Sequence, residues 1–238
     1  MTDLHTHILP AVDDGARDVQ TSVAMLTAAK AQGVDTVALT PHFYLDHRTP
    51  QEFLARRQRA YDALRTAIDA LPAEEREALP SVTLGAEVLW MPYLSRVEGL
   101  EALCYEGTRL LLLEPPFGKW GSGWFRDLND IIDMRGLIPV IAHSDRYAFA
   151  QSRGAMDEQR RMGLPTQISA EAFTGRGTRA WALAQLKSGA ADLLISDCHN
   201  TTDRKPNTGD ALEVIGKKLG EENVQKLREK SDRLLKRR

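Results

Sequence analysis

The sequence predicts an α/β fold on a parallel sheet, either open and doubly wound or closed into a barrel. Two observations carry this. Seven short apolar runs, at residues 2–8, 35–42, 82–89, 108–114, 137–143, 166–170 and 191–197, are mostly rich in Val, Ile and Leu on both faces, as strands covered on two sides are. Longer segments with helical spacing lie between them, so strand and helix alternate along the chain. In either architecture, function gathers at the C-terminal ends of the strands.

The first run, "TDLHTHI", is followed by 18–32, where Val19, Val23, Met25 and Leu26 mark a helix that stops before Gly33, a C-cap residue. After the second run, "DTVALTPH", residues 51–71 place Phe53, Leu54, Tyr61, Leu64, Ile68 and Leu71 at helical spacing and end before Pro72. Residues 72–80, "PAEEREALP", read as a loop or a short surface helix. Segments 123–135, 177–188 and 206–219 repeat the helical pattern among the later strands, and 221–236 closes the chain. No fixed-period repeat or low-complexity linker interrupts this order, so residues 1–238 are expected to form a single domain.

Bulk properties narrow the function. A net charge of −2 gives no reason to expect nucleic acid or an anionic membrane as partner. The N-terminus lacks a basic region followed by an apolar run, and no stretch approaches the ~20 apolar residues that span a bilayer. Two cysteines, Cys104 and Cys198, are too few for a disulfide scaffold and fit a reducing compartment, so a cytoplasmic location is expected.

The strand ends carry the chemistry. The first run ends in His5-Thr6-His7, and residues two apart on a strand share a face, so both imidazoles can reach one cation. The second ends in His42, the third in Glu87, the fourth in Glu114, the fifth in His143, and the seventh in Asp197 with His199 two residues on. Each alone has an ordinary explanation as a salt bridge or a hydrogen-bonded core residue. Together they converge on one rim, where carboxylates after apolar runs such as "LLLLE" are costly to bury without a cation. Asp13-Asp14-Gly15 adds carboxylates on the same rim, although Asp and Gly also simply make turns. Imidazole and carboxylate without a cysteine cluster suit Zn, Mn or Fe. The inventory exceeds what one ion can use, so two or three metals bridged by carboxylate fit it better.

The stretch "SDCHNTTDR" (196–204) offers a competing reading, because Cys198 and Arg204 have the C-x5-R spacing of a cysteine phosphatase loop. Such a loop needs a thiolate ringed by backbone N–H groups at a helix N-terminus. Here its interior is "HNTTD", with no Gly and with Asp203 beside the arginine, and the other strand-end residues would go unexplained. In "FGKWGSGWF" (117–125), Trp120 and Trp124 either shape access to the rim and stack on an aromatic substrate or pack the loop onto the barrel.

With these residues in place, the chain resembles the PHP (polymerase and histidinol phosphatase) superfamily. Within it, the chain is most similar to the CpsB/YwqE-type bacterial tyrosine-protein phosphatases associated with capsule and exopolysaccharide production. "DLHTHILPAVDDGA", "TPHF", "GAEV", "LLLEPP", "GLIPVIAHSDRY" and "ISDCHN" carry the resemblance over nearly the whole chain. It implies a distorted (β/α)7 barrel and a site for three divalent metals, usually manganese, with iron or zinc as alternatives. The implied first-metal ligands are His5, His7, Glu87 and Asp197. Glu87 would bridge to a second metal held also by Glu114 and His143, and Asp14, His42 and His199 would hold a third. Arg146 and Arg204 resemble the family's phosphate-binding arginines; without the resemblance, either could instead be a structural salt bridge. "HSDRY" stands where "HPERY" is common, "EPPF" where an "EFP"-like run is usual, and Cys198 where alanine is common; none of these removes a matched ligand.

The implied reaction is phosphomonoester hydrolysis by a metal-activated hydroxide, with the arginines on the phosphoryl oxygens. A phosphotyrosyl protein, such as the tail of a bacterial tyrosine kinase, is the implied partner. A small phosphomonoester such as histidinol phosphate is the alternative substrate, and a metal-binding module without catalysis is the alternative of another class.

Overall fold

The computed structural model describes residues 1–236, so the last two residues of the expected 1–238 domain lie outside the described residues. The chain begins with β1 (Thr2–Thr6), α1 (Val19–Ala31), β2 (Thr36–Leu39), β3 (His42–Phe43), α2 (Pro50–Asp69) and α3 (Ala73–Glu77). It continues through β4 (Ser81–Leu84), β5 (Glu87–Leu89), β6 (Leu110–Glu114), α4 (Ser122–Arg135), β7 (Ile138–Ile141) and α5 (Arg153–Arg161). The last third holds β8 (Gln167–Ser169), α6 (Ala170–Thr174), α7 (Arg179–Ser188), β9 (Leu193–Ile195), α8 (Thr208–Leu219) and α9 (Glu221–Leu234).

Every strand pairing is parallel, in the ladders β1-β2-β4, β3-β5-β6-β7 and β8-β9. The second and third expected strands are each broken in two. Pro41 has no N–H to donate, so β2 stops and resumes as β3, and the partner strand breaks beside it at Gly85-Ala86. Counting each broken pair once gives seven strand positions among the described residues. Bridges between Ile141 and Thr166, and between Thr6 and Cys198, join the ladders into a ring. The closing seam is firm: the Asp197 N–H donates to the His5 carbonyl at 3.0 Å, and the His7 N–H donates to the Cys198 carbonyl at 2.9 Å. The result is a distorted, closed (β/α)7 barrel.

Alternation along β6 shows how the core divides. Leu110 and Leu112 belong to one cluster with Val140, Ala142, Leu193 and Ile195 from other strands. Leu111 and Leu113 pack in another with Trp124, Leu128 and Ile131 of α4. Glu114 continues the Leu110 and Leu112 face, so the end of the strand sends its carboxylate toward the barrel mouth. Helix α2 starts where Thr49 and Glu52 form a reciprocal capping box with Pro50 in the first turn. Helix α5 buries only Ala155 and Gln159, and that lack of an apolar stripe hides it from hydrophobic periodicity. Among the described residues, no helix is long and apolar enough to cross a membrane.

Asp3, fully buried on β1, accepts at Oδ1 from the backbone N–H groups of His5 (3.3 Å) and Ser196 (3.2 Å), while Oδ2 has no hydrogen-bond partner among the described residues. Burial pushes its carboxyl up to about 6, only partly offset by the Ser196 and His5 contacts. The folded pKa therefore lies above the unfolded one, the native state holds the extra proton, and stability falls as pH rises from about 4 to about 6. Asp3→Asn keeps both acceptor contacts and removes the charge. In metal-free protein its stability relative to wild type should rise across that window by on the order of 3 kcal/mol. Urea unfolding at each pH measures this, and a difference that does not change with pH would refute it.

Candidate metal centre

The residues at the strand ends meet at one mouth of the barrel. From β1, the His5 and His7 Nε2 atoms lie 3.2 Å apart. The Glu87 carboxylate, first residue of β5, lies among four imidazoles: its Oε2 is 3.1 Å from His5 Nε2, 3.3 Å from His7 Nε2 and 2.8 Å from His42 Nδ1, and its Oε1 is 2.7 Å from His143 Nε2. Glu114 Oε1 stands 3.8 Å from His143 Nε2. Asp197 Oδ1 is 3.2 Å from His7 Nε2 and 3.5 Å from His5 Nε2. Asp14 Oδ1 is 3.4 Å from His42 Nε2 and 3.5 Å from His199 Nε2. All nine candidate residues thus form one connected cluster. Asp197 reaches it from a left-handed backbone conformation (φ 51°) that Asp tolerates better than most residues.

Among the described residues, three compact sets of donor atoms could each hold an ion: His7, Asp14, His42 and His199; His5, His7 and Glu87; and His42, Glu87 and Glu114. This grouping shares His7 and His42 between sets, and in that it differs from the partition the resemblance implies.

The chemistry of the donors fits a cation. His5 Nδ1 faces Gln167 Oε1 at 2.9 Å, and His7 Nδ1 faces Asp13 Oδ2 at 2.7 Å. Both acceptors place the ring hydrogen on Nδ1, so two Nε2 lone pairs point at each other unless a proton or metal lies between them. Among the described residues, buried Glu87 Oε2, Glu114 Oε2, Asp197 Oδ1, His42 Nδ1 and His199 Nε2 make no well-aligned hydrogen bond, although Glu87 Oε2 and His42 Nδ1 approach to 2.8 Å. Unsatisfied groups concentrated in this way call for an ion.

The electrostatics agree. Burial, followed by the charge of Glu87, raises the Glu114 carboxyl above its usual range. Burial works against charge on His42, yet Asp14 and Glu87 outweigh it and lift the imidazole to about 9. The same negative field would hold a metal in place of that proton. His199 is lowered to about 3, first by burial and then by His7, so its lone pair stays free.

Both candidate arginines lie on this mouth. Arg146 and Arg204 each donate to Asp197 Oδ2, the latter at 3.0 Å, and Arg204 Nη1 comes within 3.8 Å of Asp14 Oδ2. Arg146 and Arg204 line a cavity of about 290 Å³ together with Asp14, His42, Glu114 and Tyr147. Cys198 is fully buried in the closing seam, and burial holds its thiol far above the usual range, so it is no nucleophile. Trp120 and Trp124 are buried and pack the loop after β6 onto the barrel.

Three supporting residues were not identifiable by strand-end position. Asp13 orients His7 and also accepts from the backbone N–H groups of Gly15 (3.0 Å) and His42 (3.0 Å). A side chain at Gly15 would meet the His7 carbonyl oxygen at 2.0 Å, so glycine lets this loop lie against β1. Tyr147 donates to Glu114 Oε1 at 2.6 Å and leaves Oε2 free; burial, reinforced by Glu114, keeps the phenol protonated. Gln167, fully buried on β8, accepts from His5 Nδ1, while its amide nitrogen lies 3.5 Å from the Tyr105 hydroxyl. That hydroxyl donates to the Leu4 carbonyl at 2.7 Å, so it can only accept from Gln167, and the amide oxygen must face His5. The motif "HSDRY" contains Tyr147, and the "DD" pair contains Asp13; nothing in the sequence separated Gln167 from an ordinary strand residue.

Known proteins share the fold. The chain is 30% identical over 245 residues to the tyrosine-protein phosphatase YwqE of Bacillus subtilis (strain 168), covering 99% of this chain and 91% of that protein. It is 29% identical over 238 residues to the tyrosine-protein phosphatase CpsB of Streptococcus pneumoniae, covering 95% of this chain and 94% of the relative. A crystal structure from work on YwqE and CpsB, described there as unique metal-dependent tyrosine phosphatases, superposes with a TM-score of 0.84 at 27% identity, covering 99% of this chain and 94% of that one. The family model for capsular polysaccharide synthesis, CpsB/CapC, matches residues 1–236. The chain belongs to the CpsB/CapC capsular polysaccharide synthesis family.

Proposed function

We propose that this chain is a metal-dependent protein-tyrosine phosphatase that hydrolyses phosphotyrosyl protein. One observation carries the reading: among the described residues, buried oxygens of Glu87, Glu114 and Asp197 that make no well-aligned hydrogen bond converge beside Arg146 and Arg204, whose guanidiniums share one cavity. Three divalent ions, manganese first and iron or zinc next, would be held by His5, His7, Asp14, His42, Glu87, Glu114, His143, Asp197 and His199. When bound, such ions supply positive charge for phosphoryl oxygens and acidify water.

The chain's own residues supply the rest. Arg146 and Arg204 turn from Asp197 toward the phosphoryl oxygens and match their geometry with charge-assisted hydrogen bonds. Tyr147 and Asp13 hold Glu114 and His7 in orientation. An aryl phosphate suits the site because a phenolate leaves with less need of a general acid than an alkoxide does. The relatives' names support a phosphotyrosyl protein as partner, and the tail of a bacterial tyrosine kinase, met in the cytoplasm, is the partner we propose.

Hydrolysis of a phosphotyrosyl peptide, histidinol phosphate and a phosphodiester, with and without chelator and added Mn²⁺, tests the reading. Chelation should abolish cleavage of the peptide and Mn²⁺ should restore it. Activity that survives chelation and disappears in Cys198→Ser would overturn the metal mechanism, and preference for histidinol phosphate would overturn the substrate.

Gln167→Met removes the acceptor that fixes the His5 tautomer while roughly keeping volume. It should weaken Mn²⁺ binding by about 10–100-fold. Calorimetric titration with Mn²⁺ reads this directly, and an unchanged affinity would show that Gln167 serves packing alone.

A further inference from the structure

Phe117 is 74% exposed, yet it lines the same cavity as Arg146, Arg204 and Glu114. Single exposed apolar side chains are common, and Tyr93, Met134 and Phe149 are exposed too; what sets Phe117 apart is its place on the cavity that holds both arginines. The backbone around it is held. Pro115 and Pro116 restrict the backbone before it. After it, the Trp120 N–H donates to Gln151 Oε1 at 2.8 Å, and Gln151 Nε2 donates to the Gly118 carbonyl at 3.2 Å. Buried Trp120 and Trp124 tie the rest of the loop to the barrel. The Phe117 ring therefore stands over the cavity with Tyr147 beside it, their centroids 6.0 Å apart and the planes tilted by 51°. Tyr44, stacked on His42 at 5.2 Å, lines the cavity as well.

We infer that Phe117 forms an aryl subsite that selects aryl over alkyl phosphomonoesters. The inference rests on the phosphatase reading above and assigns the specificity to a residue outside the candidate metal cluster. A phosphoryl group held by the two arginines leaves its ester substituent at the cavity lip, where Phe117 and Tyr44 offer ring faces. An aromatic substituent gains both buried area and ring–ring contact there; a short alkyl group gains little of either.

The test is calorimetric binding of phenylphosphonate and methylphosphonate to the Mn²⁺-loaded protein, neither ligand being turned over. Wild type should bind phenylphosphonate about tenfold more tightly than methylphosphonate. Phe117→Ala should bring that ratio close to one with methylphosphonate affinity unchanged, and Phe117→Tyr should restore it. With a phosphotyrosyl peptide, Phe117→Ala should raise KM and leave kcat nearly unchanged. Because the ring is exposed, the melting temperature should not move. An unchanged ratio, or equal weakening of both phosphonates, would overturn the aryl subsite while leaving the phosphatase reading intact. A loaded wild type that cleaves no phosphotyrosyl peptide would overturn the phosphatase reading, and the binding ratio would still decide on Phe117.

Discussion

Replacing Glu87 by Gln is expected to strip the protein of most of its bound metal and to lower kcat/KM toward a phosphotyrosyl peptide by about 10³-fold or more. The size follows from position. Glu87 is fully buried and lies within 3.3 Å of ring nitrogens from His5, His7, His42 and His143. Glutamine keeps the shape but loses the charge, and its NH₂ offers two hydrogens to a site that needs acceptors for cations. Several kcal/mol of charge stabilisation lost at a buried site corresponds to about 10³ in rate. Asp14 gives the internal control: its side chain is 63% exposed and reaches His42 and His199 at 3.4 and 3.5 Å. Solvent can replace part of what it provides, so Asp14→Asn should cost about 10–100-fold, well short of the Glu87 effect. Metal per chain by mass spectrometry, measured beside kinetics, separates the outcomes. A Glu87→Gln protein with full metal and activity within tenfold of wild type would remove Glu87 from the centre.

How much of this was legible in the sequence depends on which property a residue type exposes. The parallel sheet was legible because strands buried on both faces leave runs such as "LLLLE"; its closure into a barrel followed only from the family resemblance. The rim was legible because six of the seven runs end at or near a His, Asp or Glu that is costly to bury in a core. His5 and His7 announced themselves by the two-residue period of a strand. What stayed hidden was contact set by the fold alone. Gln167 pairs with His5 across 162 positions, and no local pattern marks that distance. The large indoles at Trp120 and Trp124 drew attention as stacking candidates, whereas the structure buries them and leaves smaller Phe117 at the cavity. Cys198 shows the reverse error in waiting: its C-x5-R spacing is real, but spacing along the chain carries no information on burial, and burial keeps the thiol neutral.

Arg146→Met and Arg204→Met are each expected to lower kcat/KM by about 10²–10³-fold, as loss of one donor to a developing anion typically does. Both guanidiniums end on one oxygen, Asp197 Oδ2, whose partner Oδ1 faces His5 and His7. A purely structural pair would produce that geometry too, so the readouts must divide the two roles. If the arginines serve the carboxylate, removing one unbalances Asp197 and shows up as lost metal and a lower melting temperature. If they serve the phosphoryl group, metal content holds and inhibition by inorganic phosphate weakens with each substitution. Arg204→Lys should recover little, because a single ammonium cannot offer the paired N–H geometry of a guanidinium. The double variant should lose less than the product of the single losses, since both side chains act on one group and the remaining donor is already misplaced when the first is gone. Strict multiplicativity would mean that each arginine acts at its own site, and unchanged phosphate inhibition beside lost metal would assign both to holding Asp197.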